Sequence, residues 1–132
     1  MKKKSIVIIL IATLIISAIS FAGYSLFGMS KVKDVQEEKW SYSVDKKSKT
    51  AIINKYLGNE INVVVPESVT VDKQEYIVTV IGVGAFEECN EIESIDLAKT
   101  VTKIESDAFK GCTSLNKLYM PENVKTIGTN AF

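Results

Sequence analysis

The chain has 132 residues, of which 46% are hydrophobic and 24% charged, and its formal net charge at pH 7 is zero. Histidine is absent, which excludes a Ser-His-Asp catalytic triad and a His-ligated metal site. All sixteen basic residues are lysines, and from Lys31 onward 13 lysines stand against 16 acidic residues. The part of the chain from Lys31 onward is therefore mildly acidic. Without arginine or a basic stripe, it is not expected to bind nucleic acid.

The first 30 residues differ from the rest. Three lysines (residues 2–4) precede an uncharged run from Ile6 to Phe27, a pattern typical of export or membrane insertion. As a helix of about 1.5 Å per residue the run would extend roughly 33 Å, enough to cross a bilayer. The sequence SFA before Gly23 is also typical of a cleavage site. Residues 1–30 are therefore predicted to be either a cleaved signal peptide or an uncleaved membrane anchor, with the rest of the chain outside the membrane.

The segment 31–39 is short and rich in charged residues, and it is predicted to form a stalk. A strand should follow, because Trp40, Tyr42 and Val44 alternate with polar residues. After the polar turn KKSK, a second strand is predicted over 52–56 and a third over 61–65, so that the repeats would be preceded by a segment resembling a β-hairpin.

The rest of the chain contains a sequence repeat with a period of 23 residues. The phrases IGVGAF, IESDAF and IGTNAF begin at residues 81, 104 and 127. A fixed period of this size predicts a solenoid, in which each coil buries its apolar side against its neighbours. Eleven residues after each of the first two phrases begins, the pattern L-x-x-L-x-L appears, at 92–97 and 115–120. An earlier, divergent unit at 63–69 is separated from the others by extra residues, TVDKQEYIVTV at 70–80, which are predicted to form a small hairpin.

These residues resemble the BspA-type leucine-rich repeat of bacterial surface proteins. The resemblance covers about residues 50–132 and implies a short, β-rich leucine-rich-repeat solenoid with parallel strands joined by short helical or 3₁₀ turns. The repeat domain is placed at 40–132. Two positions depart from the family pattern: Glu88 where Gly111 has the common glycine, and Ala98 where Pro121 has the common proline. The resemblance implies an extracellular binding scaffold, often adhesive, and implies no particular ligand.

Within the repeated phrase, Phe86, Phe109 and Phe132 are expected to stack as an aromatic spine across the coils. Asp107 and Asn130 stand where a helix N-cap is favoured, because their side chains can accept from unpaired backbone N–H groups.

Three features could carry chemistry, and a structural role is favoured for each. Cys89 and Cys112 could form a disulfide, but two cysteines make no zinc site, and each is expected to be a small buried residue in its own coil. The glutamates at 87, 88, 91 and 93 could be a carboxylate pair or a Ca²⁺ site, and a solvated acidic face is favoured. The stretch Gly82-Val83-Gly84 lacks the third glycine and the βαβ unit of a dinucleotide loop. Neither an enzyme nor a cofactor is expected.

The strand faces are the predicted binding surface. In L-x-x-L-x-L the residues marked x point out of the solenoid, onto its concave side. The alignment places residues in three columns: Asn62, Ser94, Lys117; Val64, Asp96, Tyr119; and Glu67, Lys99, Glu122. The candidate ligand-binding residues are Ser94, Asp96, Lys99, Lys117, Tyr119 and Glu122, with Tyr119 as a common type of interface anchor.

The functional hypothesis is an exported, surface-associated repeat module that binds a protein or another cell-surface ligand, with adhesion as one role. Membrane attachment would be through Ile6–Phe27 if that segment is retained. The alternative is a truncated or partial array with a structural role and no ligand of its own. The third copy of the phrase reaches Phe132 with no strand after it, so the repeat is expected to be incomplete there. Self-association through an uncapped last coil is the corresponding expectation.

Overall fold

The computed structural model describes the backbone of residues 32–37 and the whole of residues 39–132. The apolar run Ile6–Phe27, and with it the choice between signal peptide and anchor, lies outside these residues. Within the described ranges, no helix is long and apolar enough to cross a membrane.

The lead-in to the solenoid is an antiparallel sheet of three strands, β1 (Val32–Glu37), β2 (Trp40–Asp45) and β3 (Thr50–Tyr56). The predicted face of β2 is confirmed, because Trp40, Tyr42 and Val44 are buried. The KKSK turn is held by Asp45, whose carboxylate accepts from Lys47 N and Ser48 Oγ, both at 2.8 Å. The segment 31–39, predicted to be a stalk, contains β1, which pairs with β2 and extends the sheet by one strand.

One parallel sheet contains β4 (Asn62–Val64), β7 (Ser94–Asp96) and β9 (Lys117–Tyr119) in that order. The strand predicted over 61–65 thus lies beside the two L-x-x-L-x-L segments, 92–97 and 115–120, in the parallel arrangement expected of the solenoid. The pairing register is set by the repeat, since Ile95 pairs with Leu118 one period later and with Val63 of the divergent unit.

The second sheet continues the lead-in. Strands β5 (Ser68–Val71) and β6 (Gln74–Ile81) form the predicted hairpin, and its turn residues Asp72 and Lys73 have φ of 50° and 67°, as a two-residue hairpin turn requires. Then β6 pairs in parallel with β3 and with β8 (Lys103–Ile104), which pairs with β10 (Thr126–Ile127). Each coil therefore crosses both sheets once.

The corners between the sheets are tight turns rather than helices. They are closed by single i→i+3 backbone hydrogen bonds, such as Cys89 N to Phe86 O at 3.1 Å and Cys112 N to Phe109 O at 3.2 Å, the bond type of a 3₁₀ helix. No residue of the described ranges is in an α-helix or a 3₁₀-helix.

The N-cap prediction for Asp107 and Asn130 is wrong. Together with Gly84, which is one period earlier than Asp107, they have left-handed backbones, with φ of 59°, 55° and 53° in chain order. Glycine, aspartate and asparagine are the residues that tolerate this conformation most readily. Glycine, aspartate and asparagine therefore recur at this position because the turn requires a left-handed backbone there.

Aromatic rings stack along the axis of the solenoid. Ring centroids are 5.1 Å apart between Phe86 and Phe109 and 5.3 Å apart between Phe109 and Phe132, with interplanar angles of 16° and 8°. The predicted spine is confirmed, and Tyr56 extends it from Phe86 at 5.6 Å. Trp40 packs against both rings at this end. Backbone bonds run beside the spine, including Phe86 N to Ala108 O and Phe109 N to Ala131 O, both at 2.7 Å.

Candidate functional site

The outer surface of the sheet β4–β7–β9 displays two of the predicted columns. Asn62 pairs with Ser94 and Ser94 with Lys117, and Ser94 Oγ is 2.6 Å from Asn62 Oδ1. Two residues further along the strands, Val64 pairs with Asp96 and Asp96 with Tyr119. We call this surface, formed by these six residues, the β4–β7–β9 face.

Apolar side chains are exposed to solvent on the β4–β7–β9 face. Val64 is 69% exposed and Tyr119 60%, whereas Val63, Val65 and Ile95 are buried. This contrast follows from the two-residue period of a strand, which sends successive side chains to opposite sides of the sheet. Ile61 and Met120, which flank the strands, are also exposed.

The third predicted column lies beyond the ends of the strands. Glu67, Lys99 and Glu122 are exposed and lie in the connections that follow β4, β7 and β9. These connections are tied to one another, because Asn123 Nδ2 donates to Lys99 O at 2.8 Å. Glu67, Lys99, Asp96 and Val64 help to line a shallow pocket of about 130 Å³ at this end of the face.

A second shallow pocket, of about 360 Å³, lies at the other end, between the segment 58–60 and the turn 88–92. Tyr56 lines it, and Glu60 N donates to Tyr56 Oη at 3.0 Å. Burial raises the pKa of the Tyr56 phenol. Glu60 also binds the ammonium of Lys39 at 2.5 Å, so its charge is balanced. Sequence reasoning missed this pocket because one of its sides, the segment 58–60, lies outside the common period.

The predicted set of six candidate residues omits Val64, although the alignment already places it in the middle column. The signal was present in the sequence: the run Val63-Val64-Val65 lies in the strand predicted over 61–65, so the middle valine must point away from its neighbours. Of the predicted six, Ser94, Asp96, Lys117 and Tyr119 lie on the face, and Lys99 and Glu122 lie beside it.

Negative charge is concentrated around the face. With the Lys39–Glu60 pair set aside, five carboxylates and two lysines, all exposed, lie on the face or within three residues of an end of one of its strands. The remainder of residues 39–132 has seven carboxylates and eight lysines. The five carboxylates, which we call the face carboxylates, are Glu67, Glu91, Glu93, Asp96 and Glu122. Within the described part of the chain, none of the five forms a salt bridge.

The two cysteines are free and half-buried. The Cys112 thiol donates to Phe86 O at 3.0 Å, across to the preceding coil. Burial, followed by the neighbouring Cys89, raises the pKa of Cys112 to about 11, and burial also raises the pKa of Cys89. Both groups are therefore protonated thiols at neutral pH, which is the unreactive form.

The remaining sequence candidates lie in the corners. Among the described residues, no group of three or more cysteine, aspartate or glutamate side chains is arranged to hold a metal ion. A Cβ at Gly82 would be 2.8 Å from Ile53 O, and Gly84 is left-handed. Both glycines are thus explained by close approach and turning of the backbone.

Comparisons with known proteins agree with this architecture. The family model described as "BspA type Leucine rich repeat region" matches residues 63–132, in six copies. Among solved structures, a leucine-rich repeat protein from Bacteroides capillosus has 34% identity over 78% of this chain and 75% of that chain, with a TM-score of 0.70. No curated protein sequence matches the chain.

Two further structures are longer than this chain. A leucine-rich cell surface protein from Faecalibacterium prausnitzii has 34% identity over 72% of this chain, with a TM-score of 0.63. A leucine-rich repeat protein from T. pallidum has 28% identity, also over 72%, with a TM-score of 0.61. The matched regions span only 26% and 42% of those two chains.

Proposed function

Because the chain belongs to the BspA-type leucine-rich repeat family, we propose that it is a protein-binding module held outside the cytoplasmic membrane, where it contributes to adhesion. The observation that carries the proposal is the β4–β7–β9 face. It is a flat strand surface on which Val64 and Tyr119 are mostly exposed, and tyrosine is enriched among the residues that dominate binding energy at interfaces.

The size of the face limits the kind of partner. Three strands of three residues extend about 10 Å in each direction, from spacings of about 3.3 Å along and 4.8 Å between strands. A stable complex of folded proteins typically needs about 800 Å² on each side. A short polypeptide segment is the better match. Each contact would be weak, and adhesion would arise from many copies on one surface acting together.

Export is supported by two observations. The lysines at 2–4 followed by the uncharged run Ile6–Phe27 are the pattern of a secretion signal or anchor. The relative from F. prausnitzii is described as a cell surface protein. Protease added to protoplasts of cells that make the full chain should digest residues 31–132. Protection until the cells are lysed would contradict the proposed location.

Binding is tested with a phage library of random 12-residue peptides, selected on the full chain in a mild non-ionic detergent. The selected peptides should shift the amide resonances of β4, β7 and β9 in NMR spectra. Two valines of similar exposure provide a matched comparison, since Val64 lies on the face and Val83 in the turn after β6, at 69% and 63%.

Val64→Ala should weaken binding by up to about fifteenfold, because it removes two methyl-sized groups and each is worth about 0.8 kcal/mol in a fully buried contact. Tyr119→Ala should weaken binding further. Val83→Ala should have no effect. Equal affinity of all three variants would show that the face is not the binding site. Failure of any peptide to be enriched would contradict peptide binding altogether.

A further inference from the structure

The charge around the β4–β7–β9 face differs from that of the rest of the chain. The five face carboxylates exceed the two neighbouring lysines by three, whereas elsewhere in residues 39–132 lysines exceed carboxylates by one. The excess is not balanced locally, because none of the five forms a salt bridge within the described residues. A partner that brings positive charge would therefore be attracted more strongly to this face than to the remainder of the described residues taken together.

Most of the face carboxylates lie at the two ends of the face, and the exposed apolar groups lie between them. Glu91 and Glu93 precede β7, Glu67 and Glu122 follow β4 and β9, and the exposed apolar groups Val64 and Tyr119 lie between these two ends. Asp96 lies between Val64 and Tyr119, as the pairing register shows. A lysine or arginine beside Asp96 would also meet the ring of Tyr119, whose face attracts cations.

We propose, building on the proposed function, that the partner of the β4–β7–β9 face is an extended polypeptide segment in which lysine or arginine residues flank an apolar residue. The apolar residue packs on Val64 and Tyr119. The cationic residues reach the carboxylates at the two ends of the strands. The strands between the two ends are about 10 Å long. A ligand in the extended polyproline II conformation rises about 3.1 Å per residue with three residues per turn, so residues three positions apart lie on one side of it, about 9 Å from each other. The cationic residues are therefore three positions apart.

Three 12-residue probes test the charge preference: four copies of Lys-Thr-Val, and the same peptide with glutamine or glutamate in place of lysine. Binding to the full chain in non-ionic detergent is followed by NMR and fluorescence anisotropy. The lysine peptide should bind about tenfold more tightly than the glutamine peptide at 0.05 M salt. This advantage should largely disappear at 1 M salt, where the screening length falls to about 3 Å.

Charge-removing variants locate the effect. Asp96→Asn with Glu67→Gln should reduce the affinity for the lysine peptide about fivefold and leave the glutamine peptide unaffected. As the matched control, Glu75→Gln with Glu105→Gln removes an exposed carboxylate in β6 and a partly exposed one directly after β8, and this pair should change the affinity for neither peptide. This comparison separates a contact with the face from a response to net charge alone.

The outcomes distinguish the inference from the function on which it rests. If the glutamine or glutamate peptide binds the face as tightly as the lysine peptide, or the library peptides have no excess of lysine and arginine, the inferred partner chemistry is wrong and the binding function stands. If neither the probes nor the library peptides shift the resonances of β4, β7 and β9, both are wrong. If the control pair weakens binding as much as the face pair, the site is misplaced.

Discussion

Replacement of Phe109 by alanine should be among the most damaging single changes in this chain. Its ring is 2% exposed and stacks on Phe86 at 5.1 Å and on Phe132 at 5.3 Å. Removing a fully buried phenylalanine typically costs about 3–5 kcal/mol, against a total stability of roughly 5–15 kcal/mol for an ordinary domain. With a urea slope of about 1.5 kcal/mol per M, the unfolding midpoint should fall by about 2–3 M.

The assay is urea unfolding of the full chain in non-ionic detergent, followed by the fluorescence of Trp40. This residue is the chain's single tryptophan, and it packs at the far end of the spine, with its ring centroid 6.1 Å from that of Phe86. Its fluorescence therefore reports whether removal of the Phe109 ring also destabilises the opposite end of the stack.

Phe132 provides the control, because it continues the same stack but is 60% exposed. Its replacement by alanine should cost roughly 1–2 kcal/mol, in proportion to the smaller apolar area that it buries. If the two variants lose the same stability, or if the midpoint for Phe109→Ala moves by less than about 0.5 M, burial in the spine does not determine the stability of the coils.

Four further predictions concern the corners and the Cys112 thiol. Glu88→Gly should raise the free energy of unfolding by about 0.5–1 kcal/mol, because Glu88 has φ of 62°, and the left-handed conformation costs a non-glycine residue about 1–2 kcal/mol, partly offset by the entropy of glycine. Gly111→Ala should lower it by more than about 1 kcal/mol, since φ is 74°. The new Cβ would be 2.6 Å from Glu88 Oε1, which ends a flexible side chain and can move aside, so the loss should be similar in the Glu88→Gly background; a loss that disappears in that background would contradict a backbone origin. At Asp107, where φ is 55°, Asp107→Gly should leave the free energy of unfolding nearly unchanged and Asp107→Val should lower it by about 2 kcal/mol. Similar urea midpoints for the two variants would contradict the requirement for a left-handed backbone at this position. For Cys112, the folded pKa of about 11 exceeds the reference value of 9.0, so its contribution to stability is complete below pH 9 and declines as the pH rises from 9 to 11. The urea midpoint of the wild type should fall more steeply across this window than that of Cys112→Ala, and parallel curves would contradict the raised pKa.

The 23-residue period by itself determined the solenoid, the parallel sheet and the columns on its surface. This was possible because stacked coils repeat every local environment, so that Phe86, Phe109 and Phe132 occupy equivalent places. The same reasoning placed Ser94 beside Lys117 and Asp96 beside Tyr119, as the pairing register confirms. Where the chain repeats, local pattern and tertiary contact carry the same information.

Only the tertiary structure decided the conformation of residues whose type suits two backbone conformations, and the position of residues that lie outside the period. Asp107 and Asn130 are good N-caps and also tolerate a left-handed backbone, and the sharp corner between adjacent coils selects the second. Tyr56 is out of phase with the phenylalanines, yet the return of β3 toward the first coil places its ring at the end of their stack. The face carboxylates are scattered from residue 67 to residue 122. They lie around one surface because the winding of the chain returns it to that surface once per coil.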